Sequence, residues 1–570
     1  MSATISCYVG NKIQQQFVTL DGQWGTRQVH YRRTGTGPLL LMLHQSPQSS
    51  RELIPLMELW SEYFTIVAPD SPGYGLSDPL GVDEAELSDF ATAAIEFMDA
   101  IGAGRFGIYG FHTGGMIGVA IAHGYPDRVT SFACNGIAVP TDQELEEILS
   151  VYMPRFEPRW DGGHLAWAWA KNREQTIFFP WHNHTLDGRM DFPMPSPEHQ
   201  QISIREFLRA GYHYHVAYRA AFAFHAERVV PELKVSGLIT SATWDPIQPH
   251  LARLTHEPGC VCITESDTLE ESLERCLEQV RTHTGDGLPA TPATTPVPGR
   301  LWNQRVETDG GSVLVKRGGQ DSAVPVVVLH GAGGSSATVA SIAAGLAETR
   351  SVLAIDLPGH GETECDPDPD GITMATCAAL ALEVLDKLNL PVVDLVGVEG
   401  GAFVALEMAD RHPDRVGRLT LLHPPELNAE QADAWRESGL PSFEPDWFGG
   451  HLLHCWHMVR DSRLYFPWFQ RDQKGIHWQE PELDNRRLQQ EVTEYLKAEG
   501  AWQELLRDQL AYPLLEKLAV SRDKIALCAS PRSPWYGVTE SLATRTELPF
   551  SVLHDTPRKW GAILAATLSP

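Results

Sequence analysis

The chain has 570 residues, more than one hydrophobic core supports, so at least two domains are expected. Its formal charge of −28 opposes binding to nucleic acid or to an anionic membrane, and no apolar run is long enough to span a bilayer. The beginning, Met1-Ser-Ala-Thr-Ile-Ser-Cys, lacks the basic-then-apolar pattern of a secretion signal, and nine scattered cysteines fit a reduced, cytoplasmic protein.

In chain order, Leu39–Leu43 and Thr65–Ala68 are short apolar runs that predict strands. Leu87–Ile101 predicts a helix, Phe106–Gly110 a strand, Gly114–Gly124 a helix and Val129–Ala133 a strand. This alternation predicts a parallel sheet covered by helices on both faces. Residues 141–230 break the rhythm. Their aromatic, histidine and proline content predicts an inserted, mostly helical cap on a first domain, 1–283. Residues 284–298, rich in proline and threonine, predict an extended linker. A second domain, 299–570, follows with its own cap at about 425–515.

The second domain repeats the first. Leu41-Met-Leu-His44-Gln-Ser-Pro returns as Val327-Val-Leu-His330-Gly-Ala-Gly, and Asp70-Ser-Pro-Gly-Tyr-Gly75 as Asp356-Leu-Pro-Gly-His-Gly361. Gly110-Phe-His112-Thr-Gly114 returns as Gly397-Val-Glu399-Gly-Gly401, and Pro126-Asp-Arg-Val129 as Pro413-Asp-Arg-Val416. The first two pairs lie 286 positions apart and the last two 287. Inside the caps, Phe156-Glu-Pro-Arg-Trp160 through Trp169, Arg173 and Trp181 is echoed from Phe443 through Trp456, Arg460 and Trp468.

These motifs resemble the α/β-hydrolase fold family over nearly all of both halves. The resemblance implies two tandem α/β domains, each a mostly parallel sheet flanked by helices. It implies a sharp strand-to-helix elbow whose middle residue is normally a serine nucleophile. Here that residue is His112 in the first half and Glu399 in the second. The family's later acid falls on Asp245 and, in the second half, on Ser533. The family's final histidine has no match in the first half. In the second, Lys559 takes its place, with His554 close by.

An acyl-enzyme route through serine is therefore not expected. Instead His112, longer than serine, is expected to meet Asp245 directly and act as a general base, with backbone N–H groups of Ser46 and Thr113 as an oxyanion hole. The favoured reading is a noncovalent hydrolase, or an enzyme cleaving C–C or C–O bonds, acting on a small carbonyl compound. A cofactor-free oxygenase and an inert binding or scaffold protein stay open, and fold alone cannot choose among them. For the second half, a carboxylate at the elbow and a lost acid point to a copy without activity.

In the first cap, Trp169 and Arg173 are four apart and share a helix face. With His164, His182, His184, Tyr212 and His215 they are candidate pocket residues for an aromatic or carboxylate-bearing substrate. Packing of cap on core is the competing account, since the Trp–Arg pair is present in both copies. The favoured chemistry needs no cofactor; the pairs His182–His184 and His213–His215 have the His-x-His form that can bind zinc or iron, but no Cys or carboxylate cluster accompanies them at a recognised spacing. The duplication suggests that the halves pair as a pseudo-dimer.

Overall fold

The computed structural model describes residues 13–255, 259–282, 285–365, 371–554 and 556–569. The opening segment, the first residue of the expected linker, Thr284, and Cys7 lie outside them. The chain divides into two compact units. One is Met1–Glu157 with Trp167–Thr295, and the other is Pro158–Ala166 with Pro296–Pro570.

The first unit is built on eight strands: β1 (Gln14–Gly22), β2 (Gly25–Thr34), β3 (Leu39–Leu43), β4 (Thr65–Pro69), β5 (Phe106–Phe111), β6 (Val129–Asn135), β7 (Gly237–Ala242) and β8 (Val261–Ser266). Their order is β1-β2-β4-β3-β5-β6-β7-β8. The β1–β2 and β2–β4 pairs are antiparallel and the other pairs parallel. All five residues of β3 and of β4 are buried, as a sheet covered on both faces demands. Leu40, Met42, Ile66 and Tyr109 pack on Trp60 and Cys276 on one side of this sheet. The helix Leu87–Ala100 starts where Glu86 and Asp89 cap each other's backbone, and it buries Leu87, Phe90, Ala94 and Phe97.

The second unit repeats the design with β9 (Trp302–Thr308), β10 (Gly311–Gly318), β11 (Val326–Leu329), β12 (Val352–Ile355), β13 (Glu364–Cys365), β14 (Val393–Val398), β15 (Val416–Leu422), β16 (Ile525–Ala529) and β17 (Phe550–Val552). The order is β13-β10-β12-β11-β14-β15-β16-β17, with β9 on β10. Both caps are helical. The first includes Gly163–Glu174, Pro197–Ala210 and Tyr214–Phe222, and the second Gly450–Asp461, Asn485–Ala498 and Ala501–Gln509.

The proline-rich segment after residue 285 has no regular structure but is held along the first sheet. Leu39 N donates to Asp286 O at 3.0 Å, and the Thr294 hydroxyl donates to Phe17 O at 2.8 Å. No helix among the described residues is long and apolar enough to cross a membrane. The eight described cysteines are free thiols.

Candidate active site

The elbow forms where β5 ends and the helix Thr113–Gly124 begins. His112 sits between them at φ 46°, a left-handed conformation that costs an imidazole-bearing residue energy. Two backbone bonds hold it: His112 N donates to Asn135 O at 2.8 Å, and Met116 N donates to His112 O at 2.9 Å. The following turn passes close to β3. A Cβ on Gly114 would stand 2.1 Å from Leu43 O, so only glycine fits.

The raised ring meets the acid. His112 Nε2 lies 2.8 Å from Asp245 Oδ2, and the ring stacks on Phe111 with centroids 4.2 Å apart. Asp245 follows β7 and is 3% exposed. Ser241 Oγ donates to its Oδ2 at 2.9 Å and Ile247 N to its Oδ1 at 3.1 Å. Burial alone would raise the Asp245 carboxyl, but the charge and hydrogen bond of His112, with the Ile247 and Ser241 donors, outweigh it and hold the group below its ordinary value. An ionised carboxylate only accepts, so Nε2 carries the imidazole hydrogen and Nδ1 carries the lone pair. The arrangement leaves Nδ1 as the basic atom.

Space for the ring comes from Gly136, just past β6. A methyl there would fall 2.3 Å from His112 Cδ2 and 2.8 Å from Nε2. The duplicate of Gly136 is His423, so the second unit places an imidazole from a strand end where the first leaves room for one from the elbow. His423 Nε2 accepts from Ser530 N at 2.8 Å.

A cavity of about 280 Å³ opens beside the elbow, bordered by Ser46, His112, Thr113 and Met116 below and by Tyr152, Phe179, Phe207, Tyr218 and Phe222 from the cap. The Thr113 N–H is the first of its helix and has no intrahelical partner. Ser46 lies on the loop after β3, which Glu52 ties down: Gln45 N donates to Glu52 Oε1 at 2.7 Å and Gln45 Nε2 to Oε2 at 3.1 Å. Burial pushes the Glu52 carboxyl up to about 7 against those bonds.

The helix Gly163–Glu174, with the turn after it, presents Ala168, Lys171, Asn172, Gln175 and Thr176 to the cavity, spaced as one face. Lys171 was not foreseen. It is 3% exposed, its Nζ donates to Gln175 Oε1 at 2.8 Å, and it stands 5.8 Å from the Tyr152 ring centre and 5.6 Å from that of Phe207. Burial lowers its ammonium to about 7. The duplication held a signal for it, because the matching residue is Met458.

None of the seven expected pocket residues, His164, Trp169, Arg173, His182, His184, Tyr212 and His215, borders this cavity. Trp169 is 1% exposed and packs in the cap, and its spacing to Arg173 fixed a shared face without saying which way that face turns. His164 belongs with the second unit, where its Nε2 meets Gln489 Oε1 at 2.6 Å. His182 bonds Glu147 at 2.8 Å, and His184 lies 3.5 Å from Glu174. The Tyr212 hydroxyl takes a hydrogen bond from Arg155, and His215 is buried edge-on to Tyr212. Among the described residues no three His, Cys, Asp or Glu side chains are grouped to hold a metal ion.

His44 and Asp70 serve the scaffold. His44 Nδ1 donates to Gln45 O and its Nε2 accepts from Ser71 N, both at 2.8 Å. Asp70 accepts from Ser50 N at 2.8 Å and Leu76 N at 2.9 Å, and Asp356 repeats this with Ser336 N and Glu362 N. In the second unit, Ser533 borders a cavity at its elbow, whereas Lys559 and His554 do not.

A family profile described as alpha/beta hydrolase fold matches residues 38–163 and again 324–454. The chain belongs to that fold family as a tandem duplication, each half with its own sheet and elbow. Over 124 residues it is 29% identical to (E)-2-((N-methylformamido)methylene)succinate hydrolase of Acinetobacter baylyi, covering 22% of this chain and 47% of that protein. Over 118 residues it is 37% identical to fluoroacetate dehalogenase of a Burkholderia species, covering 20% and 38%. The chain thus spans less than half the length of either relative. A solved esterase from Thermogutta terrifontis aligns with 47% of this chain and 97% of its own, at 17% identity and a TM-score of 0.36.

Proposed function

We propose that the first unit is a small-molecule hydrolase in which His112 is a general base and not a nucleophile. The observation that carries this reading is the 2.8 Å contact between His112 Nε2 and Asp245 Oδ2, with His112 bordering a cavity. Asp245 fixes the ring so that Nδ1 can take a proton from water as the water oxygen attacks a substrate carbonyl. The resulting oxyanion is met by the N–H groups of Thr113 and Ser46. Collapse breaks the bond to the leaving group, which receives the proton from His112. The curated relatives, a succinate-derivative hydrolase and a dehalogenase by their names, support small-molecule hydrolysis in general.

The cavity limits the substrate. About 280 Å³ is at the small end of ligand pockets, which run from about 300 to 1,000 Å³. Its aromatic cap suits an apolar or ring-bearing group, and Lys171 suits a carbonyl or carboxylate oxygen at the far side. The test is a panel of esters, lactones and β-diketones given to wild type and His112→Ala in a sealed cell that also records oxygen. Hydrolysis without oxygen uptake, lost in the variant, is expected. Oxygen consumption would establish the oxygenase reading instead, and no turnover of any compound would establish a binder.

A further inference from the structure

The second unit encloses a larger cavity, about 600 Å³, at the end of β14 and beneath its own helical cap. At the elbow stands Glu399, in a left-handed conformation at φ 50°. Its backbone is fixed by Glu399 N donating to Leu422 O at 2.8 Å and Ala402 N donating to Glu399 O at 3.0 Å. The side chain opens into the cavity. Among the described residues no hydrogen bond or ion pair holds its carboxyl. Arg463, the nearby cation, is bonded to Glu491.

The wall has two further properties. It is aromatic, with Trp435, Trp468, Trp502, Trp535, Phe466 and Tyr495 all bordering the space. It is also acidic: Glu491 is paired with Arg463 and Glu482 with Arg487, which leaves Glu399 and Glu480 facing the space against Arg532. The three histidines of the wall add little positive charge, because burial lowers His330 and His423 to about 4 and lowers His477 as well. Aromatic faces and the unpaired carboxyl of Glu399 together favour a cation over an anion.

We propose that the cavity of the second unit binds an organic ammonium ion with an apolar body, its charge set against Glu399 and its body among the tryptophans. This goes beyond the hydrolytic reading of the first unit and does not depend on it. The second unit binds without cleaving, since Ser533 stands where the first unit has Asp245 and no carboxylate orients His423, which is spent on Ser530. Desolvation raises the Glu399 carboxyl, which Arg463 offsets only in part, and a cation set against it would favour the ionised form.

The test uses the full-length protein and benzyltrimethylammonium as probe, with benzyl alcohol and benzoate as the neutral and anionic comparisons, read by isothermal titration calorimetry. Saturable binding of the ammonium probe, stronger than of either comparison, is expected. Glu399→Gln should weaken it about tenfold or more, and Arg463→Met, which removes an opposing charge, should strengthen it severalfold. Circular dichroism checks that each variant is folded, and if Glu399→Gln is not, Arg463→Met decides. Equal binding of benzoate or benzyl alcohol, or ammonium binding that neither substitution changes, overturns the proposal.

Discussion

Gly136→Ala is the most discriminating change in the first unit. The added methyl would lie 2.3 Å from His112 Cδ2, 2.8 Å from Nε2 and 3.2 Å from Asp245 Oδ2. Carbon atoms pack at about 3.5–4.0 Å, so the ring must retreat by about 1 Å. A retreat of that size breaks the 2.8 Å bond to Asp245. Misplacing a catalytic group by about 1 Å costs about 10²-fold in rate, and losing a general base costs about 10²–10⁴-fold. The backbone adds a smaller burden. Gly136 has φ 83°, where alanine is strained by about 1–2 kcal/mol. That strain is tolerable, because the duplicate position holds His423 at φ 54° without glycine. The variant should therefore fold, melt a few degrees lower, and lose about 10²-fold or more in kcat/KM on a chromogenic ester. A folded Gly136→Ala within about threefold of wild-type activity would refute the reasoning, because the imidazole would then work without the geometry described.

Further outcomes follow from the same site. Asp245→Asn keeps the shape but removes the acceptor that sets the tautomer, and kcat should fall by about 10²–10⁴-fold with KM little changed. Since the folded Asp245 carboxyl lies below its ordinary value, its stabilising effect is complete above about pH 4 and is lost as pH falls through the depressed value. The melting-temperature gap between wild type and Asp245→Asn should close in acid, and a gap constant with pH contradicts the assignment. Lys171→Met copies the second unit and should raise KM for substrates with an anionic or carbonyl group more than it lowers kcat. Because the folded Lys171 sits at about 7 and its ordinary value is 10.5, the unfolded chain binds the extra proton between those values. Wild type should gain stability relative to Lys171→Met as pH rises through that window, read by thermal melts, and no relative gain would show that the ammonium is not buried.

The alternation of strands and helices and the elbow were legible in the sequence because glycine spacing and buried apolar runs constrain the backbone directly, whereas Asp245 was pointed to by the family resemblance. Leu39–Leu43 is observed as written, and the next three strands extend their predicted ends by one or two residues. The pocket wall was not legible. Trp169 and Arg173 were weighed as pocket residues against packing of the cap, and the repetition that spoke for packing agrees with burial: Trp169 and Trp456 are 1% and 0% exposed. Two residues that face the cavity, Lys171 and Asn172, differ between copies, where Met458 and Val459 stand in the second, while Phe179 faces it and recurs as Phe466. Difference between the copies was the better guide to chemistry. Gly136 escaped notice for another reason: its role is to be absent from a volume that only the folded chain defines.

The central claim is that the imidazole of His112 activates water and never carries the acyl group. Rapid-quench intact-protein mass spectrometry during turnover of a slow ester tests it directly. The account predicts the unmodified protein mass at every time point while product accumulates. An acyl adduct that forms and decays at the catalytic rate, mapped to the peptide containing His112, would contradict it.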